Sequence, residues 1–159
     1  MKKELIQDYT MRITQASRSE LIVIMYEIIL NDMVSAREAF AAEDFSTYEH
    51  ELSHAGRFVN ELMASLDYSI GLSYHLMSLY IYANKELMAA KTKRQPELLA
   101  GVEEVFEKLL KGYQKVSEED ASGPMMKNTQ QVYAGLTYGR GTLNEMYVNV
   151  NESRRGFMA

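Results

Sequence analysis

The chain has 159 residues, 47% of them apolar and 25% charged, with a net charge of −5 and no Cys. That composition fits one soluble globular domain with a real core, and it excludes a disulfide framework, a thiolate metal site and a cysteine nucleophile. No run of about 18 apolar residues is present to span a membrane, no Lys/Arg stripe favours nucleic acid, and MKKELIQDYT lacks a signal peptide's apolar stretch, so a cytoplasmic protein is expected.

Residues 1–16 are a lead segment in which a short helix is expected around Lys3 to Asp8. Ser17-Arg-Ser-Glu20 then has the spacing of a capping box and opens onto LIVIMYEIIL, so a long helix should run to about Phe40. Ser46-Thr-Tyr-Glu49 repeats the capping pattern and predicts a second helix to about Leu66. A third is expected from about Ser69 to Lys91. Pro96 sits where Pro is tolerated, in the first turn of a fourth helix ending near Val116. Helices of about 20 residues joined by short turns predict an all-α fold, an antiparallel four-helix bundle over residues 17–118. Residues 119–159 carry five of the nine Gly and read as an extension outside it.

The fourth helix has one apolar side, Leu98, Val102, Val105, Leu109 and Val116, flanked by Leu99, Phe106 and Tyr113. The second has Leu52, Ala55, Val59, Leu62 and Leu66. On the third, Leu72, Leu76, Leu79, Ala83 and Leu87 form the expected core stripe. A second stripe, Ile70, Tyr74, Met77, Ile81 and Met88, lies roughly 120° around the axis, so the apolar arc covers about 200°. The first helix has a similar excess in Val23, Leu30 and Val34, and on its other flank in Leu21, Ile24 and Ile28. Surplus apolar faces fit a groove for amphipathic segments of another protein, a face that pairs two copies as a homodimer, or deeper burial. Eleven Met and eleven Tyr suit an adaptable contact surface.

Catalytic signatures are few. His50-Glu51-Leu52-Ser53-His54 matches the His-Glu-x-x-His of helical zinc hydrolases. The helical wheel turns His50 and His54 about 120–160° away from the second helix's core stripe, toward solvent. Glu61, on their face, lies about 10 Å further along the axis, and a catalytic zinc needs a third ligand in a shaped cleft. The motif is therefore expected to be a polar outer face, with a zinc hydrolase kept only as an alternative. Gly135, Gly139 and Gly141 are too loosely spaced for a phosphate loop, and His75 is expected on the rim of the third helix's core stripe in a packing role.

The extension holds Val132, Tyr133, Leu136, Tyr138, Leu143, Met146 and Tyr147, which are too apolar for a pure linker. It could lie as an arm in its own groove, swap onto a second copy, or stay mobile.

Two blocks carry a family resemblance. The first is Tyr9…Ile13…Ala16-Ser17-Arg18-Ser19-Glu20-Leu21-Ile22…Met25-Tyr26-Glu27. The second is Leu66-Asp67-Tyr68-Ser69-Ile70-Gly71 followed by Leu76, Leu79-Tyr80 and Tyr82. In order and spacing these resemble the FliS family of flagellar export chaperones, over about Tyr9 to Val116. Gln15, Arg18 and Glu27 depart from the family's Thr, Pro and Asp. The resemblance implies a cytosolic protein, without catalytic residues or cofactor, that binds the disordered C-terminal region of flagellin and keeps it from polymerising before export. It adds the flagellar export apparatus as a further partner, and it implies client contacts for Tyr9 and Ile13 beside the surplus stripe Ile70, Tyr74, Met77, Ile81 and Met88. A helical-bundle adaptor for a different amphipathic client is the alternative.

Overall fold

The computed structural model describes residues 3–126, and the readings made for Val132 to Tyr147 fall outside them. Within that range the fold is all-helical: α1 (Lys3–Gln15), α2 (Arg18–Ala41), α3 (Phe45–Ala64), α4 (Leu72–Lys93), a 3-10 turn (Pro96–Leu98) and α5 (Leu99–Glu119).

α2 begins as its sequence requires. Ser17 Oγ accepts from the Glu20 amide, and the Glu20 carboxylate accepts from the Ser17 amide at 2.7 Å, so two otherwise unpaired donors are satisfied reciprocally. α3 begins differently from the expected Ser46 cap. Asp44 caps it, accepting from the Thr47 amide at 3.0 Å and from the Thr47 hydroxyl at 2.6 Å. An ionised carboxylate is the stronger acceptor at the positive end of a helix, so the earlier residue wins. α4 begins at Leu72, three residues later than expected. Asp67 first closes a turn by accepting from the Ser69 amide at 2.9 Å, and Ser73 Oγ donates back to the Asp67 carbonyl at 2.6 Å.

α1 runs to Gln15, well past the short helix expected around Lys3 to Asp8. Thr10 and Ile13 are β-branched, poor helix formers that argue locally for an earlier end. Packing overrides them: Tyr9 and Thr10 are buried, and Tyr9 and Ala16 join Ile24 and Ile28 of α2 in a small core of their own.

α2 packs on α3, on α5 and on α1, which makes it the inner helix. Its surplus apolar residues are thereby explained as buried: Val23, Ile24 and Ile28 are enclosed like Ile29 and Met33 beside them, and Leu21 and Leu30 are half so. Only Val34 stays exposed. The main core joins α2 to α5 around Tyr26, Tyr48, Tyr80 and Phe106, each at most 1% exposed. Rings of this size dominate the burial energy. The Tyr26 and Phe106 centroids lie 5.6 Å apart, and the hydroxyls of Tyr26 and Tyr80 meet at 2.6 Å.

The core stripe of α5 is Leu99, Val102 and Phe106, rotated slightly from the expected one, and Val116 at its end is exposed. After Glu119 the chain turns on Asp120 and runs beside the α1–α2 elbow. There the Met125 amide donates to the Ala16 carbonyl at 3.0 Å, and Ser19 Oγ donates to the Asp120 carboxylate.

Candidate functional site

The face of α4 turned to the core is Ser73, Leu76, Tyr80, Ala83, Leu87 and Ala90. Ser73 and Tyr80 stand in the core where Leu72 and Leu79 were expected, and Leu72 is exposed at the helix start. Leu79 is half-buried. His75, expected on the rim in a packing role, is exposed instead.

The second stripe remains open. Ile70 is 55% exposed, Tyr74 62%, Ile81 54% and Met88 56%, while Met77 is half-buried. Tyr68 joins it at the start, its ring 5.5 Å from that of Tyr74, and is an apolar contributor that helical spacing could not place because it lies in the turn before α4. Isolated exposed apolar residues are ordinary, whereas these follow one another along the turn before α4 and one side of α4 itself.

Two hollows adjoin this row. At its start Ile70 borders a cavity of about 290 Å³ between the ends of α2, α3, α4 and α5, with Ile22, Leu66, Leu76, Tyr80 and Tyr113 among its walls. At its far end Met88 borders a groove between α3 and α4. The row thus runs from one hollow to the other along the α3 side of α4.

Tyr9 and Ile13 lie elsewhere. Tyr9 is 5% exposed and Ile13 is half-buried, both inside the seat of α1. Burial raises the Tyr9 phenol above its ordinary pKa, with Glu27 adding to the effect, and the Tyr9 hydroxyl accepts from Asn31 of α2. Arg12 secures the same seat through a 2.6 Å ion pair with Glu27. With Ile28, His50, Glu51, His54 and Phe58, these two α1 residues line a cavity of about 290 Å³. The α3 residues of that cavity are on the opposite flank from those facing α4, so α3 separates Tyr9 and Ile13 from the α4 row.

The same cavity corrects the expectation for His50 to His54. The motif does not face solvent as a whole. Glu51 is 5% exposed, and His54 Nδ1 lies 2.6 Å from Oδ2 of Asp32, a fully buried carboxylate on α2. Only His50 and Ser53 are exposed. Burial pushes the Asp32 carboxyl above its usual range, His54 opposes this by hydrogen bond and charge, and Glu51 pushes it further up. Among the described residues no group of three His, Cys, Asp or Glu is placed to hold a metal ion. Asp32 was not singled out from the sequence. The available signal was a lone carboxylate inside the apolar run IILNDMV.

Among the described residues no helix is long and apolar enough to cross a membrane. Comparison with curated proteins gives no match. The family profile described as flagellar protein FliS matches residues 1–120, a span that takes in all five helices. The chain therefore belongs to the FliS family, a family of flagellar chaperones rather than enzymes.

Proposed function

We propose that this protein is a cytosolic export chaperone that binds the disordered C-terminal region of flagellin and keeps it from polymerising before export. In this reading α2 to α5 form an antiparallel four-helix bundle whose outer faces are the client surface. The supporting observation is the open row Ile70, Tyr74, Ile81 and Met88, which stays exposed although the core beneath α4 is complete without it. Met77 forms the inner edge of that row. A client that also reaches Tyr9 and Ile13 must cross α3, which suits a long wrapping segment better than a single docked helix. Such a segment folds as it binds, so its apolar contacts must offset several kcal/mol of ordering cost.

Calorimetry with a flagellin C-terminal peptide and the full chain tests the reading. Binding is expected at micromolar concentrations or tighter. The triple variant Tyr74→Ser, Ile81→Ser, Met88→Ser should weaken it at least about 100-fold, since each truncation forfeits about 1 kcal/mol or more of burial. An absence of binding by the wild-type chain sinks the proposal. If flagellin does not bind but another amphipathic segment from the same cell does, the helical-bundle adaptor is the correct reading.

A further inference from the structure

The groove between α3 and α4 runs against the charge of the protein. The chain carries a net charge of −5, yet this hollow of about 380 Å³ has Arg57 and Lys91 in its walls and no carboxylate. Its base is apolar, with Leu52 and Leu87 each 2% exposed, and Met88 forms one side. Asn84 of α4 donates to Asn60 of α3 across it at 2.7 Å. Glu61, one turn beyond Arg57 on α3, is not part of the wall. Among the described residues neither cation is in an ion pair, and Lys91 Nζ makes only a 3.2 Å hydrogen bond to Ser53 Oγ.

Charge is also distributed unevenly along α4. Residues 68–84 contain no Asp, Glu, Lys or Arg, and the cations begin with Lys85. The apolar row is therefore neutral over its first half, while its second half is accompanied by Lys85, Glu86 and Lys91, two cations to one carboxylate.

We infer that the α3–α4 groove receives an acidic amphipathic segment, its apolar side chains along Tyr74, Ile81 and Met88 and a carboxylate between Arg57 and Lys91. The inference rests on the proposed client surface and adds the polarity with which the client lies on it. An exposed cation–carboxylate contact contributes little affinity by itself. It suppresses the reversed orientation and speeds encounter, which an apolar row alone cannot do.

The test titrates the flagellin C-terminal peptide into the full chain and into Arg57→Glu/Lys91→Glu, at low and high salt. Both positions are on the surface, and circular dichroism checks that the variant keeps its helices. The double variant should bind roughly 5–10-fold more weakly at low salt, the difference shrinking at high salt as screening shortens the reach of the charges. Peptides with single Asp→Lys or Glu→Lys changes should include one that binds the double variant better than it binds wild type. Equal affinity of wild type and double variant at low salt overturns the inference and leaves the client surface standing. No binding by wild type at any salt overturns both. Self-association in sedimentation that the double variant abolishes, with peptide affinity unchanged, would make the occupant a second copy and overturn the inference as well.

Discussion

His54 and Asp32 stand 22 residues apart in sequence, on α3 and α2, and their side chains meet at 2.6 Å with Asp32 wholly enclosed. Glu51, also buried, acts on the same carboxylate. A helix surface motif is thus half interior, and the pairing has consequences for stability.

A carboxyl whose pKa is raised in the folded state contributes stability below its unfolded value, and that contribution is lost as pH rises through the folded value. Asp32 is such a group, raised chiefly by burial. Asp32→Asn should therefore be no less stable than wild type at pH 7, to within about 1 kcal/mol, since burial disfavours the carboxylate even beside His54 and the neutral amide keeps the shape and hydrogen-bonding capacity. Its advantage should shrink as pH falls from neutral into the range where Asp32 protonates. Urea midpoints at several pH values read this out. A variant that is much less stable at pH 7 and matches wild type in acid would show instead that the ion pair is net stabilising.

Tyr26 and Tyr80 share a buried hydroxyl contact at 2.6 Å. Burial raises both phenols, Tyr80 to about 12, so neither is ionised at neutral pH. Tyr26→Phe or Tyr80→Phe alone leaves one hydroxyl without its partner and should cost about 1–2 kcal/mol. The double variant should cost less than the sum of the two, because no unpaired hydroxyl remains. Strict additivity in chemical denaturation would mean that the two hydroxyls are not coupled.

The two stripes of α4 predict opposite outcomes from one helix. Leu76→Ala removes a side chain that is 4% exposed and should cost about 2–4 kcal/mol. Ile81→Ser and Met88→Gln, at 54% and 56% exposure, should each change stability by no more than about 0.5 kcal/mol. Thermal unfolding separates the cases. A large loss at Ile81 would place it in a packed interface of the free protein.

The run from Asp120 to Met125 ties the end of α5 to the α1–α2 elbow through Ser19 and Ala16. Hydrogen bonds from Ser122 and Ser19 hold the Asp120 carboxyl below its usual range, so the tie persists above that lowered value and fails only as pH falls through it. Ser19→Ala or Asp120→Ala should speed hydrogen exchange of α1 amides by up to about tenfold while α3 to α5 are unaffected, as loss of one modest hydrogen bond implies. Unchanged exchange in α1 would mean that its own seat on Tyr9 and Arg12 suffices.

Much of the architecture is legible from local rules. The Ser17–Glu20 capping box, the 3.6-residue apolar period and Pro96 in a first turn place four of the five helices to within a few residues, because capping and periodicity act between neighbours in the chain. α1 is longer than the local pattern suggests, because Thr10 and Ile13 are poor helix formers in isolation and the packing of Tyr9, Ile13 and Ala16 on α2 carries the helix to Gln15.

The sequence by itself determined that α4 carries two apolar stripes, since angles around one helix follow from spacing alone. Which stripes meet a neighbour was decided by the tertiary structure. On α2 all of the surplus but Val34 disappears under α1, α3 and α5, whereas Ile70 before α4 and Tyr74, Ile81 and Met88 on it find no cover among the described residues. The same limit hid Asp32 behind His54. A wheel gives the direction of a side chain from its own axis, and the identity of what stands in that direction depends on how separate helices pack.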